Sequence, residues 1–160
     1  MLSKTQGIVI NYVKYKESSI IAKIYTKEFG IQSYIENGVR SARAKNKIAL
    51  FQPLTLLDLV IYHKKGKDIH RIAEIKCNHP FESIPYEITK SSVAIFVTEI
   101  LTKTLREETP NEQLFEFVEQ SILWLDNANE HFESFHIQFL LALTGYLGFL
   151  PETLEEMEEE

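Results

Sequence analysis

Residues 18–38 of this chain read SSIIAKIYTKEFGIQSYIENG. Two stretches rich in isoleucine, tyrosine and threonine flank the segment EFG at 28–30, whose glycine tolerates the positive φ that a tight turn requires. In the first stretch Ile20, Ala22 and Ile24 alternate with lysine and tyrosine, which is the period of a strand with one apolar face. The segment therefore predicts two antiparallel strands joined by a hairpin.

Three more stretches of the same composition extend this pattern over the first 80 residues. They are TQGIVINYVKY at 5–15, LTLLDLVIYHK at 54–64 and IHRIAEIKCN at 69–78. Five short strands with tight turns and one long polar loop suit a closed barrel, because an open sheet of this size would leave unpaired edges. We expect a five-stranded Greek-key barrel of the oligonucleotide/oligosaccharide-binding (OB) type, with an SH3-like barrel as the nearest alternative.

Beyond the strands, apolar residues recur at three- and four-residue spacing, which predicts three helices. The second helix is expected to begin at a capping box, with Thr109 as N-cap, Pro110 at N1 and Glu112 at N3. The third is expected to run from near Asn129 and to stop at Gly148.

The predicted fold class is therefore α+β, with the strands and helices separated along the chain. We expect an OB-fold nucleic-acid-binding domain at 1–80, a small all-α domain at 81–151 and an acidic, frayed or disordered tail at 152–160. Residues 1–80 hold 14 basic and six acidic side chains, a net charge of +8, whereas residues 81–160 hold three and 17, a net charge of −14. A basic barrel suits a polyanion, and tyrosines between its lysines favour nucleic acid.

The loop between the third and fourth predicted strands carries the densest group of cations, Arg40, Arg43, Lys45 and Lys47. Four like charges within eight residues repel one another, so the loop suits a partner that supplies phosphates. A solvated loop with no partner is the alternative. The other predicted DNA-binding residues are cations that extend the path and tyrosines that offer rings to unpaired bases: Lys14, Lys16, Lys64, Lys65, Lys67, Arg71, Tyr15 and Tyr34.

Patterns for catalysis, metal binding and membrane insertion are missing from the sequence. It contains neither a phosphate-cradling glycine loop nor a nucleophile elbow, so we expect no enzyme and no catalytic residue. Cys77 is the only cysteine and the five histidines lack ligand spacing, so we expect no metal or other cofactor within this chain. No apolar run approaches the roughly 20 residues of a membrane span, and no signal peptide precedes the first strand, which predicts a cytoplasmic location.

The ordered set of short motifs along the chain resembles the RecO family of bacterial recombination-mediator proteins. The resemblance rests on TQGIVI at 5–10, YKESSII at 15–21, YTKEFG at 25–30, NGVR at 37–40, the basic loop, LFQPL at 50–54 and GYLGFLP at 145–151. Each motif by itself is a turn or strand pattern, but together they span essentially the whole chain in order.

This resemblance implies an OB-fold followed by a helical domain, and a non-enzymatic role in the RecF pathway of DNA repair. It implies binding of single- and double-stranded DNA without sequence specificity, annealing of complementary strands and loading of the RecA recombinase. The implied partners are RecR and the acidic, hydrophobic C-terminal tail of single-strand-binding protein. Many members carry a zinc module beyond the position where this chain ends, and zinc is implied only there.

Two other functions remain open from the residues alone. One is an OB-type RNA-binding module, and the other is an interaction adaptor whose basic half docks an acidic tail. In the helical half, Phe117 and Phe149 lie off the main apolar stripes and are candidates to line a groove for a hydrophobic peptide, with packing in the core as the alternative.

Overall fold

Five strands and three α-helices, in that order along the chain, make up the computed structural model, which describes residues 2–41, 47–105 and 109–148. The strands are β1 (Leu2–Tyr15), β2 (Ser19–Thr26), β3 (Gly30–Glu36), β4 (Leu56–Tyr62) and β5 (Ile69–Cys77), with a short 3-10 helix at Lys47–Phe51 before β4. The helices are α1 (Ile88–Thr104), α2 (Glu112–Asn127) and α3 (Phe135–Tyr146). The predicted tail at 152–160 lies outside the described residues, as do Arg43, Lys45 and Phe149.

The five strands form a closed barrel in the order β1-β2-β3-β5-β4, with β4 returning to β1. All pairings are antiparallel except that of β3 with β5, which is parallel. A closed five-stranded barrel with a Greek-key connection is the OB architecture. The expected α+β fold, an OB barrel followed by helices, is confirmed.

Strand β1 is long because it serves two neighbours. Its first half pairs with β4 from Leu2 to Ile8, and its second half pairs with β2 from Gly7 to Tyr15, with a register shift between Val9 and Asn11. An extra residue in one strand bends it and increases its twist, which allows the sheet to curl back on itself. β1 therefore closes the barrel.

Gly7 lies where the two pairings of β1 overlap, and the barrel interior leaves no room there for a side chain. A Cβ atom at this position would lie 2.6 Å from Ile24 Cγ2 and 3.0 Å from Leu59 Cδ1. Both neighbours belong to the barrel core, where their side chains have little space to move. Any larger residue would therefore force these side chains to shift where β1 passes between β2 and β4.

The barrel and the helices share one continuous apolar cluster. Tyr25 and Ile31 of the barrel pack in this cluster with Leu101 of α1 and Phe115 of α2. The Tyr25 ring lies 5.6 Å from that of Phe115, and its hydroxyl donates to the carbonyl of Asn111 at 3.4 Å. Burial raises the pKa of the Tyr25 phenol to about 12, so the hydroxyl keeps its proton and acts as a donor. The helices are thus fixed against one end of the barrel.

Two predicted helix starts are wrong by a few residues. Helix α2 is capped by Asn111, whose side chain accepts from the N–H of Leu114 at 3.1 Å, rather than by Thr109. Asparagine is the stronger N-cap residue, and it places the cap one residue after the proline. Helix α3 begins after Ser134 rather than near Asn129, because His131 has a φ of +64° that no right-handed helix accepts. The predicted stop at Gly148 is confirmed by its φ of +83°.

A buried carboxylate fixes the segment that joins the barrel to α1. Asp126, at the end of α2, accepts hydrogen bonds from the backbone N–H groups of Glu82, Ser83 and Ile84 at 2.9–3.1 Å, and its Oδ2 lies 3.2 Å from His79 Nε2. Burial alone would raise the pKa of this carboxyl, but the hydrogen bonds outweigh it and hold the pKa below its ordinary value.

Lys90 adds a cation to the same junction from helix α1. Its side chain is buried, and the ammonium group donates to Ser83 Oγ at 2.7 Å and to the carbonyls of Asp126 and Ala128. The ammonium also lies 5.0 Å from the centre of the Phe132 ring. A charge removed from water needs such a complete set of partners. The segment 79–84, α1 and the end of α2 are thereby held together.

We expect Asp126→Asn to lower the free energy of unfolding at neutral pH by about 2 kcal/mol, since hydrogen bonds to a charged group contribute about 1.5–3 kcal/mol each. The folded pKa lies below the unfolded value of about 3.9, so the Asp126 contribution is complete above that pH and is lost as the pH falls through the folded pKa. Urea titrations between neutral and acid pH measure both effects, and the variant should show a weaker loss of stability in acid.

The control for this prediction is Asp58→Asn, because Asp58 is a more exposed carboxylate that accepts a bond from Asn78 at 2.9 Å. A change of less than about 0.5 kcal/mol is expected there, as for most surface substitutions. Equal losses in the two variants would contradict the role of the buried carboxylate.

Gly7→Ala should lower the free energy of unfolding by about 1–3 kcal/mol, the usual cost of inserting an atom into a filled core. Gly66→Ala is the companion variant, since Gly66 has a φ of +89° with no atom within 4 Å of the added Cβ. It tests backbone strain alone, which costs about 1–2 kcal/mol. Thermal and urea denaturation compare the two, and wild-type stability of Gly7→Ala would show that the neighbouring side chains yield.

Candidate nucleic-acid interface

The turn between β1 and β2 is joined to the segment after β3 by an arginine. The Arg40 guanidinium donates to the carbonyls of Ser19, at 3.1 Å, and Lys16, while its backbone N–H donates to the carbonyl of Ser18 at 3.0 Å. Lys16 has a φ of +56°, and its ammonium lies 5.3 Å from the centre of the Tyr15 ring. Arg40 thus holds the turn in a shape that exposes Lys16.

The predicted cationic loop is described only at its two ends. Arg40 commits two side-chain hydrogen bonds to the turn, out of the five N–H donors that a guanidinium carries. At the other end Lys47 lies 3.4 Å from a carboxylate oxygen of Glu36, which offsets part of its charge. Arg43 and Lys45 fall outside the described residues, so their roles stay predictions.

The turn between β4 and β5 presents a second group of cations. Lys64, Lys65 and Lys67 are exposed, and the N–H of Lys67 donates to the carbonyl of Lys64 at 3.2 Å. The turn rests on stacked rings, with Phe29 and His63 at 3.9 Å and His63 and His70 at 4.7 Å between centroids. The aromatic stack gives the three lysines a firm support.

The outer face of the sheet connects these two turns. The strand register aligns one outward-facing row across the barrel, Val13, Ile21, Ile35, Arg71 and Tyr62. Neighbouring strands lie about 4.8 Å apart, so the row follows the curved outer surface of the barrel for about 19 Å. We call this row and the one beside it, which contains Asn11, Lys23, Ser33 and Ile69, the outer strip. Arg71 therefore lies within the strip, between the two turns.

Lys23 belongs to the outer strip and is one of the lysines that alternate with the apolar residues of β2. Ile20, Ala22 and Ile24 are buried in the barrel core, and side chains alternate between the two faces of a strand. Lys23 must therefore point outward, and it is exposed. The period of two in this strand predicts the same outward direction from the sequence.

Helix α1 borders the outer strip on one side. The side-chain amide of Asn11 donates to Thr102 Oγ1 at 3.3 Å, which joins β1 to the end of α1. Lys23, Ser33 and Thr102 line a shallow cavity of about 410 Å³ at this border. The end of α1 therefore borders the row that contains Asn11, Lys23 and Ser33.

The prediction that Tyr34 stacks on a base is wrong. Tyr34 is fully buried inside the barrel, and burial raises the pKa of its phenol above the ordinary value. Its partner across the strands is Ala22, whose small side chain leaves space for the ring. Tyr15 is half-buried beside Lys16, so it remains a predicted contact.

No cluster of three or more histidine, cysteine, aspartate or glutamate side chains suited to a metal ion occurs within residues 2–41, 47–105 and 109–148. Over the same residues, no helix combines the length and the apolar character needed to cross a bilayer.

Two family profiles match the chain, one for each half. The profile described as "Recombination protein O N terminal" matches residues 1–81, and the profile described as "Recombination protein O C terminal" matches residues 85–156. The first covers the barrel and the second covers the helices.

Curated relatives agree with the profiles. The chain is 42% identical to the DNA repair protein RecO of Flavobacterium psychrophilum over 153 residues, which cover 95% of this chain and 64% of that protein. It is 39% identical to RecO of Phocaeicola vulgatus, covering 99% of this chain and 66% of the relative. The chain thus spans slightly less than two thirds of the length of these relatives. The chain belongs to the RecO family of DNA repair proteins.

Proposed function

We propose that this chain binds single- and double-stranded DNA without sequence specificity and acts as a non-enzymatic recombination mediator in the RecF repair pathway. The observation that carries the proposal is the outer strip, which has cationic turns at both ends and Lys23 and Arg71 between them. OB-folds bind oligonucleotides on the face of strands 2 and 3 and on the β1–β2 and β4–β5 loops. The strip includes Ile21 and Lys23 of β2 and Ser33 and Ile35 of β3.

Phosphates are the part of DNA that this strip is suited to contact. Lys64, Lys65 and Lys67 project from one turn and Lys14 and Lys16 from the region of the other, all exposed. Each phosphate that a cation neutralises releases condensed counterions, with a salt slope of about −0.7 on single strands and about −0.9 on duplex. Such contacts carry no base information, which supports binding to any sequence.

The loop at 40–47 is assigned the role of a clamp beside the β1–β2 turn. Arg40 is held at the β1–β2 turn by its hydrogen bonds to Ser19 and Lys16. Phosphate contacts by Arg43 and Lys45 are proposed from their charge alone. In this proposal Arg40 contributes mainly by positioning Lys16, and Lys47 contributes less because Glu36 is its neighbour.

The proposed role also includes annealing of complementary strands and loading of the RecA recombinase. Annealing follows if cations on the strip reduce the repulsion between two complementary strands held close together. The relatives are named DNA repair proteins, which supports a role in repair. RecR and the acidic tail of single-strand-binding protein are further proposed partners, and this chain spans 64% of the length of the relative from Flavobacterium psychrophilum.

A tail-docking function has one observation in its favour. Val13 and Ile69 on the outer strip are 59% and 43% exposed, close to the cations Lys23 and Arg71. Apolar side chains beside cations suit an acidic tail that carries hydrophobic residues. Such a tail would compete with DNA for the same surface, and a fluorescent oligonucleotide displaced by an acidic peptide would reveal this competition.

The double variant Lys64→Ala/Lys65→Ala should weaken binding to oligonucleotides of every sequence alike. If both lysines contact phosphates, the slope of log K against log salt should decrease in magnitude by about 1.4 on single strands. The matched control is Lys4→Ala/Lys76→Ala, two exposed lysines on the β1–β4–β5 flank of the barrel. Fluorescence anisotropy across a salt series measures the affinity of both double variants. Equal losses of affinity in the two would show that the β4–β5 turn does not contact DNA.

Arg71→Ala should reduce DNA affinity severalfold without a change in folding, because Arg71 is exposed on the outer strip. Arg71→Lys keeps the charge and should restore most of the affinity if the contact is to a phosphate. Anisotropy and the annealing rate of complementary labelled strands are the measurements. Wild-type affinity in Arg71→Ala would exclude this part of the strip as a contact.

A further inference from the structure

A cavity of about 390 Å³ lies under the β4–β5 turn, and we call it the turn pocket. Among the described residues, the charged side chains that line it are Lys64, Lys65 and Lys67 of this turn and Glu28 of the β2–β3 turn. The parts of its wall that come from β3 and from the segment before α2 carry no charge. Three cations around one cavity suit an anion, and DNA supplies phosphates.

His63 forms part of the wall of the turn pocket and is held between two other rings. It stacks on Phe29 at 3.9 Å and on His70 at 4.7 Å between centroids. His63 Nδ1 is closed off from solvent and has no hydrogen-bond partner among the described residues. A nitrogen with no acceptor beside it has nothing to donate to, so the proton of the neutral ring belongs on Nε2. His63 therefore keeps one nitrogen on which a second proton can be placed.

His70 is less suited to take this proton, although it titrates in the same range. Its Nδ1 accepts from the backbone N–H of Lys64 at 3.4 Å, and a proton there would displace that bond. Two charged imidazoles at 4.7 Å would also repel each other strongly. The stack therefore takes up one added proton at most, and His63 is the ring that can accept it.

The neighbours of His63 oppose one another in their effect on its charge. The lysines of the β4–β5 turn disfavour the imidazolium form, and a proton on Nδ1 would lack an acceptor in the free protein. Glu28 and the face of the Phe29 ring favour it, because a carboxylate and an aromatic face each stabilise a nearby cation. A phosphate in the turn pocket would offset the lysines and shift this balance toward the charged ring.

We propose that His63 takes up a proton when a phosphate of DNA enters the turn pocket, and that the charged ring is part of the DNA-binding site. This inference rests on the proposed function, since it requires DNA at the β4–β5 turn. Histidine is the side chain that ordinarily changes charge between about pH 5 and 8. The added affinity is therefore complete at the acid end of this range and is lost as the pH rises.

The test measures how DNA affinity depends on pH. A fluorescent oligothymidylate serves as the probe, because thymine does not titrate in this range, and the ionic strength is held constant because salt alone changes the affinity. The wild-type chain should bind about tenfold more tightly near pH 5.5 than near pH 8, since an opposite charge within about 4–6 Å shifts a titration by about one unit or more. His63→Phe keeps a ring in the stack but cannot be protonated. It should match the wild type near pH 8 and lose most of the gain in acid.

Two further variants make the comparison specific. His63→Gln removes the ring as well as the proton, and its pH dependence should agree with that of His63→Phe. His131→Asn is the matched control, because the His131 side chain is 84% exposed in the helical half and asparagine tolerates its φ of +64°. This control should keep the wild-type dependence on pH. Far-ultraviolet circular dichroism checks that the variants fold.

Proton uptake can also be counted directly. Titration calorimetry of the same oligonucleotide near pH 6.5, in two buffers that differ in their enthalpy of ionisation, gives the number of protons bound with the DNA. A substantial fraction of one proton is expected for the wild type and close to none for His63→Phe. Equal uptake by these two proteins would place the proton on another group and overturn the inference.

The outcomes separate this inference from the proposed function. DNA binding of ordinary strength with no gain in acid would overturn the role of His63 and leave DNA binding intact. An equal gain in the wild type and His63→Phe would do the same. Failure of the wild-type chain to bind the oligonucleotide at any pH would overturn the proposed function, and this inference with it.

Discussion

The structure depends on one strand that serves two partners. Because β1 pairs with β4 along its first half and with β2 along its second, the barrel closes around it. A side chain at Gly7 would force Ile24 and Leu59 to shift at the point of closure. Closure then fixes the register of β2, β3 and β5. That register decides which side chains face outward, so the position of Arg71 and Lys23 on one face is a consequence of how β1 is shared.

The junction of Asp126 and Lys90 fixes the positions of the helices, as β1 fixes those of the other strands. A carboxylate that accepts three backbone N–H groups holds the segment after β5 against the end of α2, and the ammonium joins α1 to the same place. Since Tyr25 and Ile31 pack against the helices as well, one end of the barrel is covered. The barrel and the helices therefore form one packed unit.

The sequence was sufficient to locate the strands and helices. It was insufficient to predict the direction or the contacts of several side chains. Strand composition and turn residues located all five strands, because alternation and glycine placement are local properties. The inward direction of Tyr34 depends on the small partner Ala22 across the sheet, and the cap at Asn111 depends on its bond to Leu114. The role of Arg40 in holding the β1–β2 turn likewise arises from residues about 20 positions away. Such contacts between distant residues have no local pattern.

The division of charge between the barrel and the helices has a consequence for the proposed binding of DNA. A molecule with a cationic end and an anionic end has a large dipole moment, and the field of a polyanion exerts a torque on it before any contact forms. The chain would therefore be oriented before contact, with the barrel facing the DNA and the helices facing away from it. A larger fraction of collisions would then lead to binding, which raises the association rate. This increase would decline as added salt shortens the range of the field.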